Sequence, residues 1–340
     1  MPKILSFFIK LSLIAGLFAY LIYRALQGSA FSELDAKSVN ISYVILGFLF
    51  NLLATTITIV RWRALVEALG SPFPLNDALK YGFIGFMFNL SPVGIVGGDA
   101  VKVALIAKKN KIPVDRATAS VVVDRVLGLY AMFVLGLFVL FFTGFYANPH
   151  PTAKLATRGL VILTLLTTAF LAVVVVPASK NNWREKTAER IPFIGGFMKK
   201  LTTATLIYGN KKKVLFFSFL ATFFVHSFFA VSLYFFAKAL FGLAPTLINH
   251  FILYCVGNVG SIIPLSAGPF EYFLDELYPL FEIAGRTAFE KGHGMAIGVA
   301  YRLATVAVAL VGVFYYMIAR SDVKKALDQE ENAKGDSCQP

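Results

Sequence analysis

The chain has two cysteines in 340 residues, Cys255 inside an apolar run and Cys338 in the polar tail, so neither a disulfide framework nor a cysteine-ligated zinc site is available. Acidic residues are scarce: 19 Asp and Glu stand against 32 Lys and Arg, a formal net charge of +13. An excess of that sign can mark a nucleic-acid binder. Here the basic residues sit beside apolar runs without aromatic stacking modules, so nucleic acid is excluded as a partner and the charge is read as topology. No polar gap reaches the length of an independent soluble domain, about 50 residues. His-Glu-x-x-His, Gly-x-Ser-x-Gly and Gly-Lys-Ser/Thr signatures are missing, so no metal, cofactor or nucleotide chemistry is called for, and the chain is not expected to be an enzyme. Val96-Gly97-Gly98-Asp99 also falls short of the Gly-x-Gly-Asp of membrane aspartyl proteases, because position 96 is Val.

The abundant residues are apolar. With 57% hydrophobic residues, 15% aromatic residues and a mean hydropathy of +0.71, the composition is that of an integral membrane protein. Hydrophobic runs predict full spans at 4–26, 41–60, 118–142, 155–176, 214–240 and 294–319. Arg61-Trp62-Arg63 reads as a basic and aromatic anchor at a cytoplasmic interface. The loop 178–213 carries nine basic residues against Glu185 and Glu189 and is assigned to the cytoplasm, whereas the acidic stretch 271–291 is assigned to the outside. The chain is thus expected to be multi-pass with both termini cytoplasmic. Residues 1–322 form one transmembrane domain, and 323–340 form a disordered cytoplasmic tail.

Two stretches break the apolar pattern. Ser91-Pro92-Val93-Gly94-Ile95-Val96-Gly97-Gly98-Asp99 interrupts the segment 74–107, and Pro264-Leu265-Ser266-Ala267-Gly268-Pro269-Phe270-Glu271 separates an apolar run at 246–262 from a short helix at 269–281. In each, a proline precedes an acid by seven residues, and an asparagine, Asn89 or Asn258, lies upstream. Broken backbone at membrane depth survives only where it is buried in protein or lines a wet cavity. The first break is flanked by basic residues at both ends and so is expected to dip in from the cytoplasm; the second dips in from the outside. The fold expected is an all-α polytopic membrane protein of six transmembrane helices plus two re-entrant hairpins entering from opposite faces, an inverted repeat.

The chemistry concentrates at those breaks. Asp99 is placed to cap a helix starting at Ala100, and Glu271 to face the first turn of a helix starting at Pro269. Gly97, Gly98 and Gly268 supply positive φ or let a ligand approach the backbone. Both acids are read either as caps alone or as part of a site where helix amino termini meet an anionic group such as phosphate. Asp124, Arg125 and Arg302 lie inside apolar spans, where each charge needs a partner or water. Asp124 and Arg125 point about 100° apart on a helix and so need different neighbours. Arg125 and Arg302 sit at matching depths from opposite faces; a structural ion pair and phosphate binding both fit them. His226, alone among Phe and Val, reads as a packing residue.

Arg61-Trp62-Arg63, Ser91-Pro92 with Gly97-Gly98-Asp99, Asp124-Arg125, the Pro264 to Glu271 break and Arg302 together resemble the flippase-like membrane family that includes the transmembrane half of lysylphosphatidylglycerol synthase. The resemblance spans about residues 4 to 320. It implies a prokaryotic cytoplasmic-membrane protein with re-entrant helices around a lipid cavity. The expected function is flippase-like transport of an aminoacylated or otherwise head-group-modified phospholipid or lipid carrier between leaflets. Asp99, Asp124, Arg125, Glu271, Arg302, Gly97, Gly98 and Gly268 would bind it. Membrane lipids, anionic or aminoacylated, are the expected partners, with a homo-oligomer or a lipid-synthesis enzyme as protein partner. The alternative is a non-transporting partner of a lipid synthase or glycosyltransferase. Without a soluble synthase domain in these residues, lipid aminoacylation is not expected of them. Ser266-Ala267 also stands where the family has a richer glycine run, which leaves the head group open.

Overall fold

Long apolar runs in lipid must satisfy every backbone group internally, and this chain does so with helices. The computed structural model describes residues 39–89, 95–175, 204, 207–259, 268–283, 286–287 and 289–336. The expected span at 4–26, Ser91-Pro92, Pro264 and residues 178–203 lie outside the described residues.

In chain order the helices are α1 (Ile41–Glu67), α2 (Leu75–Asn89), α3 (Ile95–Lys109), α4 (Val114–Phe142), α5 (Pro151–Val175), α6 (Lys212–Phe241), α7 (Leu247–Val259), α8 (Pro269–Leu277) and α9 (His293–Asp336). Among the described residues four helices are long and apolar enough to cross a membrane: α1, α4, α6 and the His293–Ala319 part of α9. They coincide with expected spans, and α5 occupies the place of the expected fourth. Their outer faces carry Phe138, Phe142, Phe217, Leu303 and Met317, each more than half exposed, an apolar surface suited to lipid. The only strands among the described residues are the two-residue pair Glu282–Ile283 and Arg286–Thr287, which follows α8 where a single helix to 281 was expected.

Helix ends follow local chemistry. Asn40 caps α1, its side-chain oxygen accepting from the Tyr43 N–H at 3.3 Å. Gly242, at φ 69°, closes α6 in the left-handed region that glycine enters without a Cβ penalty. Gly268, at φ 108°, precedes α8, whose first residue is Pro269. Here the expectation of a positive-φ glycine is met. Gly97 and Gly98 are different: α3 already begins at Ile95, so both lie inside it, and neither has positive φ. Asp99 is therefore a side chain of the helix body and not the cap of a helix beginning at Ala100. At the other end of the chain, α9 runs on to Asp336, where composition predicts a disordered tail from 323. Lys, Ala, Leu, Gln and Glu there are good helix formers extending a helix already nucleated.

The broken segments are each a pair of short helices. The pair α2 and α3 packs against α1, α4 and α9; its open end lies where the Arg63 side chain donates to the Phe73 carbonyl at 2.8 Å and Asn110 donates to the Pro72 carbonyl at 3.1 Å, beside the carboxyl end of α1. The pair α7 and α8 has its open end at the other extreme of the bundle, where His250 packs on Tyr234 and Tyr278 and Phe281 stacks on Phe145. Helices α1 and α6 run antiparallel through the middle, joined at one end by Asn40 N–H to Ala239 O (3.0 Å) and further along by Ser232 Oγ to Gly47 O (2.7 Å). Two apolar cores result. One, around Trp62, Ile84, Leu105 and Ile106, wraps the first pair, and the other, around Phe133, Leu253, Leu274 and Tyr278, wraps the second.

Gly98 is where α3 comes closest to α2: a Cβ there would overlap the Gly85 carbonyl oxygen and the Asn89 side chain. Gly98→Val must drive the two helices apart, so its melting temperature in detergent should fall by several degrees. Gly159→Ala, at a position with open space around it and no positive φ, should change it much less. Equal melting curves for Gly98→Val and the parent chain would show that this contact does not hold the pair together.

Candidate functional site

Three arginine–carboxylate pairs organise the charged interior. Asp124 on α4 is buried and accepts from Arg61 Nε at 2.9 Å. The same guanidinium donates to Thr222 Oγ1 at 2.7 Å and to the Asp124 carbonyl at 3.3 Å, so one side chain ties α1, α4 and α6 together. This overturns the reading of Arg61-Trp62-Arg63 as an interfacial anchor, because Arg61 is 6% exposed and Trp62 fully buried. Packing of α4 and α6 against this end of α1 covers it. One helical position on, Arg125 points elsewhere, as the 100° rotation requires. It donates through Nε and Nη2 to Asp99 of α3, at 3.0 and 2.7 Å.

The second broken pair repeats this arrangement. Glu271 accepts from the Gly268 N–H at 2.7 Å, closing the first turn of α8, and its other oxygen accepts from Arg302 Nε of α9 at 2.8 Å. The acid is both cap and ion-pair partner. The Arg302 guanidinium also lies 5.9 Å from the centre of the Phe270 ring. In each half, then, an acid of the second short helix grips an arginine of the next long helix. Asp275, one turn beyond Glu271, accepts from the Gly292 and Met295 N–H groups and so caps the start of α9.

Between the two cores lies a cavity of about 480 Å³. Its charged wall is formed by Arg61, Lys102, Asp124 and Arg125, and the inner ends of the two short-helix pairs reach it through Asn89 and Asn258. Glu271 and Arg302 do not line it, so the structure brings Asp124 and Arg125 to one space with the arginine's partner Asp99 beside it, and sets the second pair apart. His226 faces the same cavity, donating from Nε2 to the Gly128 carbonyl at 2.9 Å while Nδ1 lies 3.3 Å from the Tyr254 hydroxyl. Gly97 and Gly98 sit on α3 behind the wall, and Gly268 at the start of α8.

Two residues of this wall were not singled out from the sequence. Arg61 reads from the sequence as a surface anchor, and Lys102 stands between Val101 and Val103 in an apolar run, the same signal that marks Asp124 and Arg125. Among the described residues no group of three or more His, Cys, Asp or Glu side chains converges as metal ligands.

A polytopic α-helical membrane protein with two short-helix pairs meeting at a charged internal cavity is the class that fold and site define. The chain belongs to the family described as the lysylphosphatidylglycerol synthase TM region, whose pattern matches residues 7–312. It is similar to a UPF0104 membrane protein of Methanocaldococcus jannaschii, 32% identical over 114 residues, which are 32% of this chain and 33% of that protein. A UPF0104 membrane protein of Pyrococcus horikoshii is 28% identical over 138 residues, 38% of this chain and 40% of that protein. The chain thus matches well under half the length of either relative.

Removing one member of a buried pair strands the other charge, at a cost of about 3–5 kcal/mol. Arg61→Met should therefore destabilise the protein in detergent far more than the double change Arg61→Met with Asp124→Leu, which removes both charges. If the double variant melts no higher than the single one, the pair does not carry the coupling assigned to it.

Proposed function

We propose that this protein moves a phospholipid or lipid carrier, its head group aminoacylated or otherwise modified, between the leaflets of a prokaryotic cytoplasmic membrane. The observation that carries the reading is the cavity of about 480 Å³ reached by the inner ends of both short-helix pairs and walled by charged side chains. A head group crossing lipid loses its hydration, and a polar chamber between apolar cores offers it replacement partners.

In this reading the short-helix pairs are re-entrant hairpins entering from opposite membrane faces, six spans surround them, and the halves α1–α4 and α6–α9 form an inverted repeat. The matching acid–arginine pairs, Asp99 with Arg125 and Glu271 with Arg302, support it. Each pair is a latch between a hairpin and the next long helix. A lipid phosphate competes with the carboxylate for the arginine fork, and the hairpin is freed as the phosphate takes its place. Used alternately from the two faces, the latches open one side of the cavity at a time. With no nucleotide-binding signature, transport runs downhill or on an ion gradient.

Two measurements test this. Single cysteines replacing Asn110 and Tyr146, in a background lacking Cys255 and Cys338, should react with an impermeant reagent from opposite sides, cytoplasmic for 110 and external for 146; labelling from one side removes the opposed-hairpin topology. In proteoliposomes, Arg125→Ala and Arg302→Ala should each slow lipid movement by about tenfold or more, since each loses a charge-assisted bidentate contact. The charge-swapped variant Asp99→Arg with Arg125→Asp should restore melting temperature but not transport. Native-rate transport by both alanine variants would reduce the latches to structural ion pairs. A purified wild-type protein that moves no lipid, yet binds a lipid synthase one to one, would establish the partner role instead.

A further inference from the structure

Lys102 stands apart from the latches. It lines the cavity, is 6% exposed, and its ammonium lies 5.0 Å from the centre of the Trp62 ring. Among the described residues no carboxylate lies within ion-pair distance of it. The charged groups that act on it are Asp99, Asp124, Arg61 and Arg125. Those four are already matched, Arg61 with Asp124 at 2.9 Å and Arg125 with Asp99 at 2.7 Å. Three cations therefore face two carboxylates, and the wall keeps one uncompensated positive charge, on Lys102. A second group lacks a partner nearby: Thr55 Oγ1 is buried in the same wall with no hydrogen bond, although Thr55 is 3% exposed.

We infer that Lys102 is a phosphate-binding residue of the cavity beside the Arg125 latch, with Thr55 Oγ1 as a supporting donor, and that the lipid taken up there is a phosphodiester lipid of net charge minus one. This rests on the reading of the cavity as the head-group chamber and departs from it on cargo, which becomes a lipid whose head group leaves the phosphodiester's negative charge unbalanced and not an aminoacylated one. An isolated buried ammonium is strongly unfavourable, and a buried charge needs a counter-charge. One phosphodiester supplies one negative charge, which neutralises the wall. A lysyl-modified phosphatidylglycerol brings the same phosphate with two additional ammonium groups, a net charge of plus one that adds to the wall's positive charge and does not neutralise it. The chamber therefore selects the anionic lipid over its aminoacylated form. The ammonium lies 5.0 Å from the centre of the Trp62 ring, a cation–π contact that holds it in place before the lipid arrives.

The test uses the full chain in phosphatidylcholine nanodiscs, titrated with acyl-labelled phosphatidylglycerol, acyl-labelled lysylphosphatidylglycerol or inorganic phosphate, with bound lipid read by native mass spectrometry. Wild type should retain phosphatidylglycerol in preference to the lysyl form. Lys102→Met, close in size and free of the buried charge, should stay folded and lose phosphatidylglycerol binding by about tenfold or more, while Lys102→Arg keeps most of it. Gly128→Leu controls for the cavity itself. A Cβ at Gly128 meets only the Arg61 guanidinium, at 3.6 Å, so the longer side chain fills the chamber and should weaken both lipids alike. Unchanged phosphatidylglycerol binding by Lys102→Met alongside loss in Gly128→Leu overturns the lysine's role and leaves the chamber standing. Unchanged binding in both overturns the chamber. Preference for the lysyl lipid, or Lys102-dependent binding of inorganic phosphate without phosphatidylglycerol binding, overturns the assignment of an anionic lipid.

Discussion

A charge buried in hydrocarbon must be paired, and that constraint explains more of this structure than any other. Inserting an ionised side chain at mid-bilayer costs about 2.5–3.5 kcal/mol on insertion scales. The chain meets this with arginine–carboxylate pairs that span helices: Arg61 with Asp124, Arg125 with Asp99, Arg302 with Glu271. Each links segments far apart in sequence, so the pairs also decide which helices must be neighbours. Apolar packing cannot make that choice in lipid, because lipid tails are as apolar as leucine.

The pairs differ in what they hold. Arg61 and Asp124 are both nearly inaccessible, their bonds completed by Thr222, an arrangement built to stay closed. Arg125 and Asp99 are partly exposed, at 39% and 20% of their side chains. Arg302 and Glu271 fall between, with a buried acid that also caps its own helix. The short-helix pairs are thus tied to the long helices by more accessible ion pairs than the Arg61–Asp124 pair that ties α1 to α4.

Membership of the lysylphosphatidylglycerol synthase TM region family and the geometry of the cavity support each other without being the same argument. The family places the chain among membrane proteins and says nothing of which side chain meets a ligand. The cavity names residues. Its wall, with the Lys102 ammonium over the Trp62 ring, is a feature of this chain's own packing.

The apolar runs by themselves determined the long helices, because no other backbone arrangement satisfies its hydrogen bonds in lipid; the expected spans at 41–60, 118–142, 214–240 and 294–319 all appear as helices. The proline, glycine and acid clusters likewise marked where two helices break, and a single charge within an apolar run marked Asp124, Arg125 and Arg302. What those charges touch was decided by tertiary structure. Helix periodicity separated Asp124 from Arg125, but only the packing of α1 and α3 against α4 chose Arg61 for one and Asp99 for the other. Local pattern makes Asp99 a cap; the start of α3 at Ile95 and the packing of α3 on α4 make it the ion-pair partner of Arg125. Arg61 reads as a surface anchor because a basic residue at the end of an apolar run is ambiguous until a neighbouring helix covers it, and Lys102, a charge within an apolar run like Asp124, gains its surroundings only from the packing around it. Charge in a sequence announces that a partner is needed, and three-dimensional proximity alone says which one, because Coulomb attraction depends on distance in space and not along the chain.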